Sequence, residues 1–121
     1  LEPSPPADAR TLARRLAYDL TGLPPTSKQV EKLANKMDEA SLRSYVDSLL
    51  NSPRFAEHWA RHWLDIARYG DTRGELFDES DFNPQAWTYR DWVIDAFEKD
   101  LPYDDFIKLQ LAADFLVNEE E

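Results

Sequence analysis

No cysteine occurs in the 121 residues. That absence removes disulfides, thiolate zinc sites, a cysteine nucleophile and covalent attachment of c-type haem within the chain itself. Glycine is nearly absent too, with three in all, and two of them, Gly70 and Gly74, stand close together in the middle of the sequence. So few flexible positions, beside abundant Leu, Ala, Arg and Glu, favour helix. Apolar runs are short, and none approaches the roughly 20 residues that cross a bilayer. β-branched residues are scattered and no segment alternates with period two, so no strand is expected. Positive charge is scarce as well: 14 Lys and Arg stand against 24 Asp and Glu, a net of −10. A phosphate backbone needs a basic stripe, so nucleic acid is not an expected partner, and an anionic membrane surface is disfavoured for the same reason.

The charge is divided along the chain. Residues 1–69 hold 10 basic and 9 acidic side chains, while residues 70–121 hold 4 basic and 15 acidic ones, a net of −11. An acidic half of this kind suits a cation, a basic protein surface or solubility. The hydrophobic fraction of 42% and the length support one domain with its own core. That domain is expected over 8–118, after a Pro-rich linker at 1–7 and before an acidic tail at 119–121. The chain opens on Leu1 and a Pro-rich stretch rather than on a Met or a signal peptide, which reads as a piece of a longer protein whose export signal lies elsewhere.

Six helices are expected, an irregular all-α bundle with a central acidic loop. Asp8 caps the first, whose Leu12, Leu16 and Leu20 share a face, and Gly22 with Pro24-Pro25 stops it. Thr26 and Gln29 form a capping box before a short helix with Val30, Leu33 and Met37 inward. Asp38 or Ser41 opens the third, striped by Leu42, Tyr45, Val46, Leu49 and Leu50. Ser52-Pro53 starts the fourth, expected to run to about Tyr69 on a core stripe of Phe55, Trp59, Trp63 and Ile66. Asn83-Pro84 opens the fifth, with Tyr89, Trp92, Val93, Ala96 and Phe97 inward. Leu101-Pro102 breaks it, and Asp104 caps the last, which carries Phe106, Ile107, Gln110, Leu111 and Phe115.

Four stretches carry a family resemblance: Arg14 to Thr26, Ser52 to Phe55, Trp59 to Tyr69, and Asn83 to Val93 with Leu101 to Asp104 behind. In the order and spacing of their Trp, Arg and Pro residues they resemble the planctomycete cytochrome-associated family of unknown function, number 1549 among such domains. The resemblance implies a part of a large exported protein, placed in the cell envelope on the periplasmic side or outside the cell. It implies neighbouring domains of the parent protein as partners, a c-type cytochrome domain with its haem c among them. It supplies no catalytic residues and no cofactor within this chain.

The residues themselves offer three constellations. His58 and His62 lie one turn apart with Asp65 a turn further, a set that can hold zinc or iron, against the blander reading of one packing and one surface histidine. Asp71, Glu75, Asp78, Glu79 and Asp81 crowd the loop, where hard cations want six to eight oxygens, although the spacing is not that of an EF-hand. The same loop with Trp87 or Tyr89 as a stacking platform is the alternative site for a polysaccharide or similar substrate. Arg61, Arg68 and Arg90 beside Asp65 and Asp91 are expected to form an ion network that fixes the geometry of the Trp59/Trp63 and Trp92 helices. The reading that follows is a non-catalytic docking module, its tryptophans interior and its carboxylates outward.

Overall fold

The computed structural model describes residues 4–70 and 84–117. They form six helices and, among the described residues, no strand: α1 (Ala9–Thr21), α2 (Ser27–Asn35), α3 (Glu39–Leu50), α4 (Pro53–Ile66), α5 (Ala86–Glu98) and α6 (Tyr103–Val117). The chain divides into two compact units, Leu1–His62 and Trp63–Glu121, with the division falling inside α4.

Local chemistry sets the helix starts. The Asp8 carboxylate accepts from the Thr11 N–H at 2.9 Å, and Asp38 accepts from the Ser41 N–H at 2.8 Å. At α2 the capping box is complete, with Gln29 Oε1 taking the Thr26 N–H at 2.8 Å and Thr26 Oγ1 taking the Gln29 N–H at 3.3 Å. Two expected starts differ. α5 begins at Ala86 behind Gln85, which gives no side-chain cap, so Pro84 lies in the preceding turn, and Asn83 lies outside the described residues. Asp104 sits in the first turn of α6, where its carboxylate bonds the Lys108 ammonium at 2.8 Å instead of capping.

The helix ends are equally local. α1 stops at Gly22, whose φ of +69° lets its N–H reach the Tyr18 carbonyl at 2.9 Å. α4 ends at Ile66 rather than near Tyr69, because Arg68 turns left-handed at φ 54° and the Tyr69 N–H closes on the Leu64 carbonyl at 2.9 Å. α5 ends the same way: Asp100 has φ 49°, and the Leu101 N–H bonds the Ala96 carbonyl at 2.9 Å. α6 carries a kink, with non-helical backbone at Ala112.

In the first unit α1, α2 and α3 enclose Ala13, Ala17, Leu33, Tyr45 and Leu49, flanked by Leu16, Leu20, Val30 and Leu42. Burying a side chain such as Leu33 contributes about 1.5–3 kcal/mol. The Tyr45 hydroxyl donates to the Ala13 carbonyl at 3.0 Å and so ties α3 to α1. Met37 and Leu50, expected inward, are exposed. Met37 lies past the end of α2 at Asn35, where the helical period no longer aims it at the core.

On α4 the expected stripe is displaced. Ala56 and Ala60 are buried, whereas Trp59 is 39% and Ile66 73% exposed. Residues 56, 60 and 63 share one helical line, and the two alanines on it are its buried positions. The larger Phe55 and Trp59 are pushed to the flank. Trp59 is therefore not interior, while Trp63 and Trp92 are half-buried.

In the second unit α5 and α6 surround an aromatic cluster. Phe106 is its buried centre. Trp63 meets it edge-on at 4.8 Å, Trp92 stacks on it at 5.4 Å and Phe97 meets it edge-on at 6.0 Å.

Candidate functional site

Three arrangements of chemistry-bearing side chains stand out. The first is a hydrogen-bonded line through the aromatic cluster. The Trp63 indole N–H donates to the Tyr89 hydroxyl at 3.1 Å, and that hydroxyl donates to Gln110 Oε1 at 2.8 Å. Tyr69 and Trp92 lie beside the Tyr89 ring, at 6.2 and 6.5 Å. Half-buried polar groups need such partners, and here each finds one. Of the two rings expected to stack on a substrate, Tyr89 is half-buried in this line, whereas Trp87 is half exposed.

The second is the histidine pair. His58 and His62 lie 5.6 Å apart, ring to ring, and Trp59 packs edge-on to His62 at 5.3 Å. His58 is fixed from the other side by Gly22: a Cβ there would lie 2.5 Å from His58 Nδ1. Gly22 thus serves twice, as the left-handed stop of α1 and as the bare surface on which the imidazole rests. No group of three His, Cys, Asp or Glu that could hold a metal ion occurs among the described residues, so Asp65 does not complete a site with the two histidines. The loop acids Asp71, Glu75, Asp78, Glu79 and Asp81 lie outside the described residues.

The third is the distribution of ions. Of the expected network, the ion pair seen among the described residues is Arg90 with Asp91, at 3.2 Å and near the surface. Arg61, Asp65 and Arg68 are exposed and join no ion pair there. Arg61 and Asp65 lie off the Ala56 and Ala60 line of α4, and Arg68 lies past its end, so water solvates all three. The remaining pairs lie within a turn of one helix or across a cap, such as Lys99 with Asp95 at 2.6 Å and Lys36 with Asp38 at 3.0 Å. They shift titration locally. The Ser41 hydroxyl and N–H, with Lys36, hold the Asp38 carboxyl well below the usual range. Lys108 lowers Asp104 in the same way, and Asp104 and Asp105 together raise Lys108. Burial pushes the Tyr45 phenol up. The shifts of Asp38, Asp104 and Lys108 belong to a cap and to surface pairs, while Tyr45 is raised by burial alone, where it lines a cleft with Ser41, Ser44 and Ser48.

Sequence reasoning missed the Gly22–His58 contact and the Trp63–Tyr89–Gln110 line. For the second a signal was present, a glutamine inside the apolar stripe of α6. For the first, nothing along the chain links positions 36 residues apart.

The outer surface of the second unit combines two features. Between 84 and 117 seven carboxylates stand against three cations. Tyr103, Leu111 and Phe115 are exposed by 72, 81 and 75%. No helix among the described residues is long and apolar enough to cross a membrane. A family model described as "Protein of unknown function (DUF1549)" matches residues 1–121. No curated protein and no solved structure matches the chain.

Proposed function

The chain belongs to the DUF1549 family of proteins of unknown function, and from that membership we propose that it is a non-catalytic docking module of a larger exported protein. Its partner is a neighbouring domain of the same parent, a c-type cytochrome domain carrying haem c, in the cell envelope on the periplasmic side or outside the cell. The observation that carries this reading is the division of charge, −11 over residues 70–121 against a near-neutral first half. A surface of one sign steers a partner of the other and fixes its orientation. Exposed apolar side chains on α6, Leu111 and Phe115, supply the area that contact with a partner would bury. Cysteine is absent, so covalently held haem belongs to the partner.

The test is calorimetric titration of this domain with the cytochrome domain of its own parent at low and at physiological ionic strength. Association that weakens about tenfold or more as salt rises is the expected result. Binding indifferent to salt, or no binding at low salt, overturns the proposal.

A further inference from the structure

The chain is acidic overall, yet one part of it is not. Residues 9–35, which make up α1, α2 and the turn between them, hold five cations, Arg10, Arg14, Arg15, Lys28 and Lys32, against two acids, Asp19 and Glu31. None of the five forms an ion pair among the described residues, whereas Lys36, Arg43 and Arg54 of the same unit all do. In a protein with so many carboxylates, leaving the basic hairpin unneutralised makes its surface an attractor for anions.

The cations are also shaped into a site. A groove of about 470 Å³ runs between α1 and α2, within the size range of small-molecule pockets. Arg10 and Arg14, one turn apart on α1, line one side, and the Ser27 hydroxyl lies on the α2 side. Pro25 and Val30 give it an apolar floor. The Arg14 guanidinium lies 5.3 Å from the centre of the Tyr18 ring, which restrains it without neutralising it. Glu31 is the one carboxylate lining the groove, and it forms no ion pair with either arginine among the described residues. Two guanidiniums a turn apart repel each other by a few tenths of a kcal/mol until an anion lies between them. Two planar donor forks offer more N–H groups than a carboxylate can accept, and they suit a tetrahedral oxyanion with three free oxygens.

We propose that the α1–α2 groove binds a small phosphate or sulfate monoester, with Arg10 and Arg14 holding the oxyanion and the Pro25–Val30 floor receiving the organic body. This site belongs to the first unit and carries the opposite sign to the surplus carboxylates of the second.

Amide chemical shifts of the ¹⁵N-labelled domain, titrated at low salt with glucose 6-phosphate, glucose 6-sulfate and glucose, test it. One or both esters shift amides at 10–14 and 25–31, and glucose does not; whichever ester acts identifies the source of the oxyanion. Arg10→Gln with Arg14→Gln weakens the ester about tenfold or more. Glu31→Gln tightens it. Arg15→Gln, which removes the same charge from the same helix outside the groove, leaves affinity unchanged. Arg10→Gln alone guards against a folding defect in the double variant, because the Arg10 side chain forms no ion pair among the described residues, and it too weakens the ester. Equal loss from Arg15→Gln, equal shifts with glucose, or no shift at millimolar ester overturns the proposal.

Discussion

The unit Leu1–His62 and the unit Trp63–Glu121 bring their helices together by different means. The first buries alanines beside Leu33, Tyr45 and Leu49. Ala13, Ala17, Ala56 and Ala60 are almost wholly buried, and a bare glycine, Gly22, receives the His58 ring. The second relies on large flat rings around Phe106, held in register by the Trp63–Tyr89–Gln110 line. Close backbone packing leaves little tolerance for added volume, whereas an aromatic cluster tolerates little loss of it. The surfaces differ in parallel. The first unit carries a basic hairpin, and the second carries surplus carboxylates beside its exposed Leu111 and Phe115.

The largest expected effect lies in the aromatic unit. Phe106→Ala removes the ring that Trp63, Trp92 and Phe97 all touch and should cost about 3–5 kcal/mol by urea unfolding. Hydrogen exchange should accelerate first in α5 and α6. Equal acceleration in α1 to α3 would break the division between the units.

Gly22→Ala follows, at about 2–3 kcal/mol, from a left-handed backbone and a Cβ placed 2.5 Å from His58 Nδ1. Adding His58→Ala should return the part due to the clash and leave the backbone part, about 1 kcal/mol, in place. No recovery in the double variant would show that His58 is not what the glycine accommodates.

The buried Tyr45 and the half-buried Tyr89 give a smaller and more discriminating pair. Tyr89→Phe strands both the Trp63 indole N–H and Gln110 and should cost about 1–3 kcal/mol. Tyr45→Phe removes one hydroxyl bond to a carbonyl and should cost about 1 kcal/mol. Tyr45 also adds an alkaline signature. Its phenol is raised by burial, so its contribution is complete below the usual tyrosine value of about 10 and is lost as pH climbs through the higher folded value. Stability followed above that pH should fall less steeply in Tyr45→Phe than in the parent chain.

The smallest effect is acidic. Asp38 is lowered by Ser41 first and by Lys36 after it. Its contribution is therefore present above the usual carboxylate value of about 4 and fades as pH drops below it. Asp38→Asn should flatten the acid limb of the stability curve slightly, and an unchanged limb would remove the cap from the account.

Helix number, helix type and most helix ends were legible because their causes lie within four residues. Asp8, the Thr26–Gln29 box, Asp38, Ser52-Pro53, Gly22 and Leu101-Pro102 act on their own neighbours along the chain. The failures also have local reasons. Arg68 ends α4 early in a left-handed conformation that nothing about an arginine announces. Asp104 looks like a cap and instead bonds Lys108. The tryptophans mark important helices, but hydrophobicity alone does not say whether a ring sits at the centre of a contact or on its flank, and Trp59 is on the flank. Of the candidate site residues, His58 and His62 are neighbours because helical spacing makes them so. Of Arg61, Asp65, Arg68, Arg90 and Asp91, only the sequence neighbours Arg90 and Asp91 show an ion pair among the described residues.

The amino-acid order by itself determined an all-helical chain of DUF1549 type, its caps and stops, and the contrast of charge between its halves, because propensity, capping and charge are properties of residues and their near neighbours. Only the tertiary structure decided that alanines rather than tryptophans occupy the centre of the α4 face, that His58 rests on Gly22, that Tyr89 joins Trp63 to Gln110, and that Arg10 and Arg14 share a groove with α2. Those outcomes depend on how closely two backbones approach and on which side chains meet across many residues of sequence, and no local rule carries that distance.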